Sequence, residues 1–262
     1  MLKEKLIIGA IAGDIIGSVY EFHNVKTVDF KLFCNRSTFT DDSVLTFATM
    51  DALINNRNYT ETYQSFSRNY PHRGYGGTFH SWIYSKNPEP YNSWGNGSAM
   101  RVSPVGWYGS SLADVLSEAK KSAEVTHNHP EGIKGAQSTA AAVYMARTGK
   151  SKDEIKNYIM DTFHYDLDRE IDNIRPDYEF DVSCQGSVPE AIIAFLESTD
   201  YETAIRLAIS IGGDSDTIAC ITGGIAEAFY QKVPEYIVDN VIKLLPKELV
   251  TIIEEFSTRY RN

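Results

Sequence analysis

The sequence predicts an all-α fold. Three observations carry that prediction: apolar residues recur at helical spacing, helix-start signatures punctuate the chain, and two-residue alternation is nearly absent. The first element lies in MLKEKLIIGAIAGDIIGSVYEF, whose apolar run is broken by Asp14 after about eight residues. That is too short for an export signal or a membrane span, so it reads as a buried helix of a cytoplasmic protein. Gly9, Gly13 and Gly17 recur every fourth residue on it, a spacing that suits close helix packing and not the dinucleotide-binding fingerprint. TVDFKLF (27–33) alternates weakly and reads as a short hairpin arm. Thr40, Asp41 and Asp42 stand directly before the next helix, in TFTDDSVLTFATMDALI. From about 68 to 100 the chain reads as irregular, with RGYGG, NPEP and WGNGS, and a loop that long within a domain is usually functional.

The later elements are helical throughout. PEGIKGAQSTAAAVYMA (130–146) is rich in small residues, so neighbours can approach it closely. SKDEIKNYIMDTF opens on a Ser151…Glu154 capping box, with Ile155, Tyr158, Ile159, Thr162 and Phe163 on one face. TDYETAIRLAISI repeats the device with Thr199…Glu202, and Pro189, Pro234 and Pro246 each occupy a position expected for a first helical residue. No repeat or linker interrupts the chain, which reads as a single domain over 1–262 with long loops on one side.

Composition narrows the function classes. The chain carries 25 basic and 35 acidic residues, a formal charge of −10, which argues against extended nucleic-acid binding but not against a site for one nucleotide. The three cysteines lack CxxC spacing, so neither a disulfide framework nor a zinc ribbon is expected. HNH (127–129) is too slight a signal for a zinc site.

Two acidic helix starts hold the chemistry. Thr40, Asp41 and Asp42 precede VLTFA, and Asp214, Asp216 and Thr217 precede IACITGGIAEAF. Either cluster alone is accounted for by capping and by the positive end of the helix dipole. Together they set four carboxylates in strongly apolar sequence, where unneutralised charge costs several kcal/mol. A pair of hard divalent cations, Mg²⁺ or Mn²⁺, would resolve the repulsion. Spacing alone does not show that the clusters meet.

GAIAGDIIGSVYEF, TDDSVL, GNGSAMRVSPVG, TH (126–127), SVPEAIIAFL and GGDSDTIACITGGIAEAFY occur in an order that resembles the ADP-ribosylglycohydrolase family, from about residue 6 to residue 230. The resemblance implies a compact orthogonal multi-helix bundle with long loops around a two-metal cleft. It implies metal ligands at Thr40, Asp41, Asp42, Asp214, Asp216 and Thr217, with two Mg²⁺ (Mn²⁺ possible) as cofactor. It further implies hydrolysis of the bond joining ADP-ribose to a target, through an oxocarbenium-like state at which the metals fix the ribose and activate water. Glu21, Asp41 and Asp216 are then the catalytic candidates, with the acid or base role of Glu21 open. Gly95, Asn96, Gly97, Ser98 and Met100 match a loop that cradles the diphosphate, and His127 matches a histidine on the nucleotide. Asp14 is expected to be structural or to support the ligands, and Cys184–Ser187 to line the adenine side.

One departure bears on the acceptor. Arginine-specific members of the family place an aspartate ahead of the glycine-rich loop, where YPHRGYGGTFHSWIYS (70–85) has no acid. Arg73, Tyr75 and Phe79 would then shape a different mouth. The expected substrate is a mono-ADP-ribosylated protein side chain, arginine or serine. The alternatives are a free ADP-ribose derivative, an ADP-ribosylated nucleobase, or a non-catalytic ADP-ribose-binding module.

Overall fold

The computed structural model describes residues 6–260. Fifteen helices follow one another, and among the described residues strand pairing is limited to one bridge between Gly95 and Ser183. In order they are α1 (Ile8–Gly17), α2 (Asp41–Asn55), α3 (Tyr59–Asn69), α4 (Gly77–Ile83) and α5 (Gly97–Met100). Next come α6 (Ser103–Tyr108), α7 (Leu112–Glu124), α8 (Pro130–Arg147), α9 (Lys152–Phe163) and α10 (Ile171–Ile174). The last are α11 (Cys184–Glu197), α12 (Tyr201–Ser210), α13 (Ser215–Tyr230), α14 (Glu235–Leu244) and α15 (Lys247–Tyr260).

The chain is built around α13, which is buried from Ser215 through Ala228 and packs against α1, α8, α11 and α12. An apolar helix with no polar face has to be wrapped on all sides, and small residues set how closely its neighbours come. The every-fourth glycines of α1 supply the tightest of these contacts. A Cβ on Gly13 would lie 2.1 Å from the Ala219 carbonyl oxygen, and one on Gly17 would lie 2.4 Å from the Asp216 Cα. Polar groups fasten the same seam: the Gly9 N–H donates to Glu227 Oε2 (3.0 Å) and the Tyr201 hydroxyl to the Gly9 carbonyl (2.7 Å). All of α1 is buried, and no described helix is long and apolar enough to cross a membrane. The three cysteines are free thiols.

Several expectations need correction. Residues 27–33 form no hairpin, because Arg206 Nη1 takes the carbonyls of Val28 and Phe30 (both 2.9 Å) that a partner strand would have used. The stretch from 68 to 100 is not wholly irregular, since it contains α4 and runs into α5. Pro189 sits inside α11, which starts earlier, where Ser183 Oγ accepts the Gly186 N–H (3.1 Å). The start of α12 is shifted by one residue: Asp200 is the cap and pairs reciprocally with Thr203. The Ser151–Glu154 capping box is present as expected, and Pro234 and Pro246 immediately precede α14 and α15.

Candidate active site

The N-termini of α2 and α13 converge on the wall of α1. On α1, Asp14 is fully buried and reaches across to the start of α2, accepting from the Thr40 N–H (2.9 Å), the Thr40 hydroxyl (2.7 Å), the Ser43 N–H (3.1 Å) and the Ser43 hydroxyl. Thr40 Oγ1 in turn accepts from the Asp42 N–H (3.3 Å). Capping of α2 is therefore done by Asp14 and Thr40, and Asp41 and Asp42 are released from it.

The start of α13 is placed by a turn through Gly212 and Gly213, whose φ values of 80° and 68° lie in the left-handed region that glycine tolerates. The segment after α1 straps this turn. Asn24 exchanges two hydrogen bonds with Gly213 (2.8 and 3.0 Å), and Lys26 Nζ donates to the Ile211 carbonyl (2.7 Å). Asp214 is the cap residue of α13, yet its side chain makes no capping bond; Oδ2 instead accepts from Asn96 Nδ2 at 2.6 Å. Asp214, Asp216 and Thr217 thus line a cleft of ≈ 580 Å³, with Asp216 Oδ1 also accepting the Thr217 N–H (3.0 Å), whereas Ser215 turns away and donates to the Gly213 carbonyl (3.3 Å).

Carboxylate oxygens of Asp14, Asp42 and Asp216 lie within 4.8 Å of one another, and so do those of Glu21, Asp214 and Asp216. Asp216 belongs to both groups. Among the described residues none of these side chains, nor that of Asp41, is in an ion pair of the fold. Burial pushes the carboxyls of Asp41, Asp42 and Asp216 well above the usual range, and neighbouring carboxylates push them further. Burial also raises Asp14 and Asp214, against the hydrogen bonds they accept, and brings Glu21 to about 7 with help from the charges of Asp214 and Asp14.

These residues fit a divalent cation. Asp42 Oδ1 is buried with no hydrogen-bond partner, which is costly for a carboxylate unless something positive faces it. Both groups offer oxygen donors only, the preference of Mg²⁺ and Mn²⁺ over zinc.

Each residue singled out in the sequence has a definite place here. Glu21, Asp41, Asp42, Asp214, Asp216 and Thr217 all line the cleft. Asp41 belongs to neither carboxylate group; a Cβ on Gly74 would lie 3.1 Å from its Oδ1. In the glycine-rich loop, Gly95, Asn96, Gly97 and Met100 line the cleft, with His127 packed against Gly95 and Gly97. The side chain of Ser98 turns inward, donating to the Gly132 carbonyl (2.7 Å), and the Asn96 N–H is taken by the Val182 carbonyl (2.8 Å). His129 caps α8 through Nδ1, which accepts the Glu131 N–H (3.1 Å). Cys184 and Ser187 are buried, and the cleft is lined instead by Phe180 and Val182 just before them. At the mouth, Phe79 is on the lining, whereas Arg73 stacks on Phe39 (3.7 Å) and the Tyr75 hydroxyl donates to the Tyr70 carbonyl (2.9 Å).

Sequence reasoning missed three contributions. Asp14 belongs to a carboxylate group that could hold a cation, beyond the support it gives Thr40, a place its position within an apolar helix could have signalled. Trp94 and Phe180 line the cleft while about half exposed, and Phe22 stacks on Phe180 with ring centroids 6.1 Å apart. Arg101, fully buried beneath the glycine-rich loop, also reaches the cleft wall.

Comparison with known proteins agrees with this architecture. A solved structure titled "ADP-ribosylglycohydrolase-related protein complex" superposes with a TM-score of 0.73, covering 97% of this chain and 95% of that one at 21% identity, which speaks to the fold. The human ADP-ribosylhydrolase ARH3 is 28% identical over 310 residues, covering 87% of this chain and 85% of its own. The mouse protein of that name is 27% identical over 309 residues, covering 87% and 84%. The profile of the ADP-ribosylglycohydrolase family matches residues 4–261, and with that match the chain belongs to the ADP-ribosylglycohydrolases, hydrolases of ADP-ribose linkages.

Proposed function

We propose that the protein is a Mg²⁺- or Mn²⁺-dependent hydrolase that releases ADP-ribose from a mono-ADP-ribosylated protein side chain. The observation that carries this reading is the pair of carboxylate groups sharing Asp216 at the wall of a nucleotide-sized cleft, with Asp42 Oδ1 unpartnered. Asp14, Asp42 and Asp216 would hold one cation, and Glu21, Asp214 and Asp216 a second, with Asp41 and Thr217 at the margin. Bound there, the cations would neutralise the carboxylates and supply Lewis-acid activation of water.

The chain's own groups then have distinct tasks. Asn96 fixes the orientation of Asp214 through its 2.6 Å bond. Glu21 is brought to about 7 by burial and by the charges of Asp214 and Asp14 while no cation is bound; a cation held beside it would lower that value, leaving an ionised carboxylate that could accept a proton from the attacking water. His127 and the backbone around Gly97 face the diphosphate, and Trp94 and Phe180 offer apolar walls that limit water.

The mouth supports an uncharged acceptor such as serine over a guanidinium. The segment at Gly74, Gly76, Gly77, Thr78 and Phe79 contributes no acid of its own, although the Asp41 carboxylate stands beside Gly74, and the nearby Arg73 adds positive charge. The test is a mass-resolved product assay on serine-linked and arginine-linked conjugates, with Mg²⁺ and with EDTA. Intact ADP-ribose is expected, only with metal, and faster from serine. Release in EDTA, or AMP as the product, contradicts the reading; preference for arginine overturns the acceptor.

A further inference from the structure

Arg101 is fully buried, and its Nε and Nη1 find no hydrogen-bond acceptor. Only Nη2 is engaged, donating to the Ser122 carbonyl (2.8 Å) and to Thr126 Oγ1 (3.0 Å). The guanidinium carbon lies over the Tyr63 ring, 4.3 Å from its centroid, and the Tyr63 hydroxyl is anchored between Ser122 Oγ (2.7 Å) and Thr49 Oγ1 (3.0 Å).

The consequence passes through one hydroxyl. Thr126 is fully buried, and its Oγ1 accepts from a guanidinium that never gives up its protons. Its own proton needs an acceptor, and the one within reach is Nδ1 of His127, at 2.7 Å. A ring nitrogen that accepts carries no proton, which leaves the proton of the neutral ring on Nε2. Nε2 faces the glycine-rich loop: a Cβ on Gly97 would lie 3.3 Å from it and one on Gly95 3.6 Å. The two glycines keep that side of the ring open to the cleft. Burial, and then the charge of Arg101, hold the imidazole far below its usual pKa, so the ring is neutral near neutrality.

We propose that Arg101 and Thr126 act as a positioning relay that locks His127 in the Nε2–H tautomer, so that the cleft presents a fixed hydrogen-bond donor to an anionic oxygen of its ligand. The relay gives His127 a single polarity. It favours phosphate oxygens, which only accept, and a ring flipped to Nδ1–H would turn a lone pair on the same anion and repel it. That this oxygen belongs to the diphosphate of ADP-ribose rests on the function proposed above; the tautomer does not.

The experiment uses the full chain labelled with ¹⁵N-histidine, with the ring resonances of His127 identified by their loss in His127→Gln. Two-bond ¹H–¹⁵N correlation at neutral pH is expected to show an unprotonated Nδ1 and a protonated Nε2. Thr126→Val keeps the side-chain shape but removes the hydroxyl. It is expected to populate the Nδ1–H tautomer and to weaken ADP-ribose binding by about tenfold. Thr126→Ser is expected to restore both, which loss of packing alone would not allow, and circular dichroism checks that each variant is folded. A wild-type Nδ1–H tautomer, or a folded Thr126→Val that alters neither tautomer nor affinity, overturns the relay. A wild-type Nε2–H tautomer in a protein that fails to bind ADP-ribose would overturn the substrate instead and leave the relay standing.

Discussion

Asp42 Oδ1 shows at a single atom what the site requires. It is buried, unpartnered, and set among carboxylates that raise its affinity for a proton. Without metal, the folded-state pKa of such a group lies above its unfolded value, so the folded protein binds more protons than the unfolded one. Stability from this source is fully present below the ordinary aspartate value of 3.8 and is lost as pH rises through the raised values, with Glu21 at about 7 in the same range. Thermal unfolding in EDTA should therefore show stability falling from mild acid to neutral pH. Asp42→Asn removes one repelling charge at constant shape. In EDTA at neutral pH it should melt higher than the wild type, while losing metal-dependent ADP-ribose release by at least about a hundredfold. A variant less stable than wild type under those conditions would mean that Asp42 serves the fold and not a cation.

Among the elements, the seam between α1 and α13 governs where the carboxylates stand. Gly13 faces backbone, with its Cβ position 2.1 Å from the Ala219 oxygen, so no rotamer change can relieve a substitution. Gly13→Ala should cost roughly 3 kcal/mol or more, read by denaturant unfolding. Gly77→Ala, in α4 with nothing within 4 Å of the new methyl, should be neutral or slightly stabilising. Equal effects would show that close approach is not what the glycine stripe supplies. This seam was legible in the sequence because Gly9, Gly13 and Gly17 repeat at helical spacing within an apolar run. The start of α11 was less so: Pro189 looks like a helix opening, but Ser183 supplies the cap, and the helix absorbs the bond that proline cannot donate. Residues 27–33 misled for a different reason, since their carbonyls are satisfied by Arg206, a partner distant in sequence.

At the scale of the whole molecule, the sequence announced both acidic helix starts but not their meeting, which depends on α1 packing across α13 and bracing α2 through Asp14. The membership of the two carboxylate groups was likewise hidden. Asp14 and Glu21 belong to them, while the Thr40 hydroxyl donates to Asp14 and accepts from the Asp42 N–H, and Asp41 lines the cleft beside Gly74. The glycine-rich loop was visible in the sequence, but its expected role at a diphosphate came only from the resemblance, and the inward turn of Ser98 was not legible, since α8 decides it. In the proposed function two divalent cations share Asp216. Calorimetric titration of the metal-free protein with Mn²⁺ at neutral pH tests it most directly. Two ions per chain are expected in the wild type, with loss of both high-affinity events in Asp216→Asn. Two ions bound undiminished by Asp216→Asn, or none bound by the wild type, would contradict it.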